Sequence, residues 1–259
     1  MTNSGSESQP EIESSKISRK DVSCLNNLAV IPARSGSKGL IDKNIKPLNG
    51  APLLAYTVKA ALDSGMFSRV MVSTDSEEYA RIALQYGAEV PFMRSSATAT
   101  DTSSSWSVVR EVIDQYADMG IHFDSVALLQ ATSPLRTGKH IVEAYDLMAA
   151  KDANAVIAVC ETEVPIEHCN TLPEDRSLVG FYDDRKYRPR QSRQTTYHVN
   201  GAIYLYKVDA FNRQQTIYDE ACYAYLMDKV HSTDVDDLDD FTIAEALVRH
   251  LPEFKDYFI

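Results

Sequence analysis

Short apolar runs alternate along this chain with longer stretches in which apolar residues recur every three or four positions. Residues 28–32, 69–74, 125–130, 155–161 and 199–207 have the length and composition of strands. Helical spacing marks 52–64, 77–86, 104–117 and 138–150. In the last of these, Leu147 and Met148 follow Ile141 and Ala144 at helical intervals, which assigns them to a core. A final helix begins near Asp239 and Asp240 and runs through FTIAEALVRH. Strands alternating with amphipathic helices predict an α/β fold built on a mainly parallel, doubly wound sheet.

The ends of the pattern set the domain limits. Residues 1–26 are rich in Ser, Glu, Gln and Lys, and their isolated Ile and Val have little to pack against, so they read as a disordered tail before a single domain at 27–259. Within that domain, 165–194 collects Pro, Asp, Arg and Tyr without a period: an irregular excursion, lid or subunit contact.

The 259 residues carry a formal charge of −11, which argues against nucleic acid or an anionic membrane as a partner. A bound anion should be small and held locally. No apolar run reaches the roughly 20 residues that span a bilayer, and a cytoplasmic protein is expected. Cys24, Cys160, Cys169 and Cys222 show no CxxC spacing, so they read as ordinary thiols.

In an open α/β sheet, ligands bind beyond the carboxyl ends of the strands. The first such loop, ARSGSKGLIDKN, concentrates positive charge in an acidic chain. Gly36 and Gly39 let its backbone come close to a ligand, and Arg34, Lys38 and Lys43 offer charge-assisted donors to phosphate oxygens, with a hydroxyl from Ser37. The loop is neither a Walker A sequence nor GxGxxG, and a solvated basic turn is the competing reading. Near the C-terminus, HSTDVDDLDDF sets Asp234 and Asp236 on one face of an extended segment, where both could meet a hard cation such as Mg²⁺ (or Mn²⁺). A bland acidic loop explains them equally well. Asp237, Asp239 and Asp240 suit a helix start. A polyphosphate loop and an acidic pair are the two parts of a nucleotidyl-transfer site.

Six motifs in order, IPARSGSKGLIDKN, VSTDS, FMRSSATATDTSSS, LLQATSPLR, RPRQ with YHVNGAIY, and TDVDDLDDF, resemble the N-acylneuraminate cytidylyltransferases over residues 28–250. The resemblance implies a Rossmann-like nucleotidyltransferase, a homodimer with a contact in the excursion, and a reaction in which a nonulosonic (nine-carbon, sialic-type) acid attacks the α-phosphate of CTP. It assigns Arg34 and Lys43 to the triphosphate, with Ser37, Lys38 and Asn44 lining the same loop. Arg94, Ser103 and Ser105 fall to the cytidine, and Gln130 and Asn200 to the sugar acid. Asp234 and Asp236 match the Mg²⁺ carboxylates, and Arg190 matches a basic residue that reaches the site from its own or the partner subunit. Asp75 is a secondary metal candidate.

Each assignment has a plainer rival. TATDTSSS suits a helix N-terminus capped by Asp101 or a serine; Asn200-Gly201 suits a hairpin turn; Arg190 suits a solvated charge. Three departures from the family pattern stand out: Ala131 for a common Pro, His198 for a common Arg, and Glu167 for a common Lys. N-acetylneuraminate is the expected sugar acid, with legionaminate next. A 3-deoxy-manno-octulosonate (KDO) cytidylyltransferase and a non-catalytic nucleotide-binding scaffold are the alternatives.

Overall fold

Strand β1 (Asn27–Pro32) is apolar on both faces, the pattern of a strand covered by helices on either side. The computed structural model describes residues 26–259 apart from 37–38, 101–102, 182–193, 214–217, 219, 256 and 259 and the side chain of residue 167. Residues 1–25 of the expected tail, Ser37, Lys38, Asp101 and Arg190 therefore lie outside the described residues.

A small hairpin, β2 (Pro47–Leu48) with β3 (Ala51–Pro52), leads into α1 (Leu53–Ser64). Then follow β4 (Arg69–Ser73), α2 (Glu77–Gln85), α3 (Ser105–Asp118), β5 (Ser125–Leu128) and α4 (Gly138–Ala150). The chain continues through β6 (Ala155–Glu161), β7 (Tyr197–Lys207), α5 (Val208–Arg213), β8 (Cys222–Met227) and α6 (Leu238–His250). The main sheet runs in the order β4-β1-β5-β7-β6-β8. β7 is antiparallel to both neighbours and the other pairings are parallel. The sheet is thus mainly parallel, as the alternation of elements predicts. The hairpin, α5 and the edge strand β8 are additions to that reading.

Period-two alternation divides the core. Ala29 and Ile31 of β1 pack with Val70, Val72, Ala127, Leu54, Val58 and Ile141, whereas Leu28 and Val30 pack with Met71, Val126, Val109, Val112 and Tyr116. Helices cover both faces. A third apolar cluster gathers Leu48, Leu53, Tyr56, Phe241, Ala244, Val248 and Phe254 around the fully buried Val235. That cluster anchors α6 and the segment just before it. Asp237 caps α6, accepting from the backbone N–H of Asp239 (2.9 Å) and Asp240 (3.0 Å), while the Asp240 carboxylate returns to the Asp237 N–H. The helix-start reading of these acids holds.

From β1 the chain passes to β4 on one side and then to β5 on the other, so the winding reverses at β1. The crevice at such a reversal, outside the carboxyl ends of β1, β4 and β5, is where this architecture places ligands. Among the described residues no helix is long and apolar enough to cross a membrane.

Candidate active site

The loop after β1 is held open by its neighbours. Ser35 donates from its backbone N–H to Asp75 Oδ1 (2.8 Å) and from its hydroxyl to Oδ2 (3.2 Å), which ties it to the end of β4. Asn44 Nδ2 donates to the Arg34 carbonyl at 3.2 Å, closing the loop from within. Gly36 and Asp42 take positive φ, and Asp42 is steadied by the Tyr79 hydroxyl at 3.1 Å. The turn Lys43–Ile45 then buries both Lys43 and Asn44. A buried lysine needs an anionic partner. Lys43 Nζ finds one in Asp236 Oδ1 at 3.0 Å.

The acidic residues come from the far end of the chain. Val235 points into the third core and donates its N–H to the Thr132 carbonyl at 2.8 Å, so Asp234 and Asp236 flank a fixed point. Gly39 packs so close to this segment that an added Cβ would lie 2.7 Å from the Asp236 carbonyl oxygen. The sequence suggests that Gly39 opens the backbone to a ligand; it lines the candidate cavity and also packs on the acidic segment. Burial pushes the Asp234 carboxyl up, with the Asp236 charge adding and Thr132 and Lys43 opposing. Asp234 Oδ1 is buried and has no hydrogen-bond donor among the described residues. An orphaned carboxylate oxygen beside a second carboxylate fits a hard divalent cation.

On the opposite wall, Arg94 is fixed by its backbone N–H to the Thr74 carbonyl (2.8 Å) and by its guanidinium, which donates to the Thr98 carbonyl. Burial lowers its pKa, countered by Asp75 and Glu111. Ser103 Oγ sits 2.6 Å from Thr100 Oγ1, and Ser104 caps α3 by accepting the Ser107 N–H at 3.1 Å. Ser105 opens the helix. The capping and cavity-lining readings of this stretch both hold, because adjacent serines divide the tasks.

Beyond β5, Gln130 is braced against β7. Gly201 has φ +78°, and a Cβ there would come within 2.2 Å of Gln130 Oε1. Asn200-Gly201 lies inside β7, where the pairing with β6 shifts register between Ile157 and Val159, so the hairpin-turn alternative is corrected to an irregularity within a strand. Asn200 is buried; its Nδ2 donates to Ser232 Oγ at 2.8 Å and its Oδ1 accepts the Ala202 N–H at 3.1 Å. Its amide is engaged in the protein rather than turned into the cavity.

Arg34, Lys43, Asn44, Arg94, Ser103, Ser105, Gln130, Asp234 and Asp236 all line one cavity of about 630 Å³. Three residues of this region escaped the sequence reading. Thr132 lines the cavity and hydrogen-bonds Asp234. Gly201 spaces Gln130. Arg136 is fully buried, donates from Nη1 to the carbonyls of Ala202 (2.8 Å) and Gln130 (3.3 Å), and has its pKa lowered to about 10 by burial. The signal for Thr132 and Arg136 was their place in QATSPLR. Of the three departures, Ala131 is buried beside the cavity and His198 is an exposed residue of β7 opposite Cys160.

The N-acylneuraminate cytidylyltransferase of Escherichia coli O18:K1:H7 is 39% identical over 218 residues, covering 84% of this chain and 51% of that protein. This chain thus spans about half the length of that relative. The CMP-N,N'-diacetyllegionaminic acid synthase of Legionella pneumophila is 36% identical over 228 residues, covering 85% of this chain and 95% of that protein. A solved structure of CMP:2-keto-3-deoxy-manno-octonic acid synthetase superposes with a TM-score of 0.64 at 16% identity, covering 86% of this chain and 98% of that one, a likeness of fold. The cytidylyltransferase family profile matches residues 28–248, and the chain belongs to that family.

Proposed function

We propose that this chain transfers CMP from CTP to the anomeric hydroxyl of a nine-carbon sugar acid, N-acetylneuraminate, in a Mg²⁺-dependent reaction that releases pyrophosphate. The observation that carries this reading is the meeting of the basic loop and the acidic pair in one cavity, through Lys43 and Asp236.

Arg34 and Lys43 hold the triphosphate and stabilise charge that builds on the phosphoryl oxygens during displacement. Arg94, Ser103 and Ser105 orient the cytidine across the crevice. Gln130, held by Gly201 and Arg136, reads the sugar acid through its amide. The anomeric oxygen bonds to the α-phosphorus and gives its proton to solvent, while the bond from the α-phosphorus to the bridging oxygen of the β,γ-diphosphate breaks and pyrophosphate leaves. Asp234 and Asp236 would hold the Mg²⁺, which neutralises phosphate charge when bound. Positioning by the fixed loops supplies the remainder of the rate.

The proposal includes a homodimer in the cytoplasm, where CTP is made. Exposed Ile166, Leu172, Leu178 and Val179 in the excursion support the subunit contact. Legionaminate is the second substrate reading, favoured by the match along nearly the full length of the Legionella synthase. Pyrophosphate release from CTP and Mg²⁺ with a panel of sugar acids tests the reading. Release with N-acetylneuraminate supports it, release with legionaminate alone corrects the substrate, and release with KDO alone moves the chain to the other branch. No release with any acid leaves the scaffold alternative.

A further inference from the structure

We propose that His140, Asp228 and His231 form a binding site for a divalent transition-metal ion of the Zn²⁺ class, separate from the Asp234 and Asp236 pair, with Glu253 orienting His231. The three residues come from the first turn of α4 and from the segment after β8, and one ligand atom from each lies within 4.8 Å of the others. Two imidazoles and a carboxylate suit Zn²⁺, whereas Mg²⁺ prefers oxygen alone.

The surroundings of each ligand favour coordination. Asp228 Oδ1 is taken by the backbone N–H groups of Val230 (2.9 Å) and His231 (3.0 Å), which leaves Oδ2 facing His231 Nδ1 at 2.7 Å. His231 Nε2 meets Glu253 Oε1 at 2.7 Å, the arrangement in which a carboxylate fixes the ring of a metal-bound histidine. The His140 ring stands edge-on to His231, with centroids 4.7 Å apart.

His140 Nδ1 accepts the Thr137 N–H at 3.1 Å and lies 3.2 Å from Thr137 Oγ1, so Nε2 is the nitrogen left for a metal. Coordination there requires the ring proton to move to Nδ1, which gives up the bond from the Thr137 N–H for one to Thr137 Oγ1. A metal-free arrangement satisfies Asp228 and Glu253 through hydrogen bonds to His231 and leaves His140 only the cap on the Thr137 N–H. A bound ion uses all four groups. It would also fix the start of the segment that leads to Asp234 and Asp236, because Ser232 Oγ joins the Asp228 carbonyl (2.6 Å) to Asn200 (2.8 Å).

The test is calorimetric titration of Zn²⁺ into tag-free, chelator-treated full-length chain with Mg²⁺ in excess. One saturable Zn²⁺ per chain is expected, weakened at least ~10-fold in His140→Ala and Asp228→Asn, about 10-fold in Glu253→Gln, and unchanged in Asp236→Asn. Co²⁺ in its place should give the visible absorption of a tetrahedral or five-coordinate site. Circular dichroism of the metal-free variants checks folding, and the exposed Asp228→Asn carries the test if His140→Ala does not fold. Absence of saturable Zn²⁺ binding, or wild-type affinity in the folded His140 or Asp228 variants, overturns the proposal.

Discussion

Lys43 and Asp236 lie 193 positions apart and meet as an ion pair, Nζ to Oδ1, at 3.0 Å. Lys43 is 11% exposed at its side chain and Asp236 is 79% exposed, so the lysine is held by the fold while the carboxylate stands open to a ligand. The solvated acidic member limits what the pair adds to stability, although it is the anion that the buried Lys43 requires. In the proposed function its value is placement: a cation for phosphate and a carboxylate for a metal would share one corner of the cavity.

Asp236→Asn should leave the fold intact at a cost of about 1 kcal/mol, because the largely buried Lys43 loses its anionic partner. Mg²⁺-dependent turnover should fall by about 100-fold or more, because an amide is a poor partner for a hard cation. Steady-state assays over a Mg²⁺ series, beside thermal denaturation, check both halves. Unchanged turnover removes Asp236 from the site.

Lys43→Gln removes the charge and keeps much of the side-chain length. We expect kcat to fall by about 100-fold, the cost of losing one donor to a transition-state oxyanion, with a smaller rise in the KM for CTP. A change confined to KM would show that Lys43 binds CTP without stabilising displacement.

The strand and helix pattern was legible because buried parallel strands read as continuous apolar runs, and the capping residues Ser76, Ser104 and Asp237 mark where helices begin. The edge strand Cys222–Met227 was not, since its tyrosines and alanine are partly exposed and lack the apolar run of an inner strand. Within the site, charge clustering exposed Arg34, Lys43, Asp234 and Asp236. Arg136 stayed hidden because a fully buried arginine contradicts what composition teaches about charged residues. Asn200-Gly201 looked like a turn because the dipeptide is the same in a turn and in a strand irregularity; only the register of β6 with β7 separates them.

Gly39→Ala tests the packing between the basic loop and the acidic segment. An added methyl carbon 2.7 Å from the Asp236 carbonyl oxygen forces backbone apart, and Gly39 does not have the positive φ that would add strain of its own. The expected result is a tenfold or greater loss of kcat, about 1.4 kcal/mol, as Lys43 and Asp236 separate. Wild-type kcat would show that the loops yield without consequence.

Gly201→Ala acts on the other wall. Positive φ and the encounter with Gln130 Oε1 predict a destabilisation of about 1–3 kcal/mol, read as a lowered denaturant midpoint. The KM for the sugar acid should rise while that for CTP changes little. Equal effects on both substrates would contradict the assignment of Gln130 to the sugar acid.

The central claim is that CTP is divided between a sugar acid and pyrophosphate. Mass spectrometry of a reaction with CTP, N-acetylneuraminate and Mg²⁺, with pyrophosphate measured in parallel, tests it most directly. The account predicts a CMP-linked sugar acid and pyrophosphate in equal amounts, from CTP and not from ATP. CTP left intact with every nonulosonic acid supplied would contradict it.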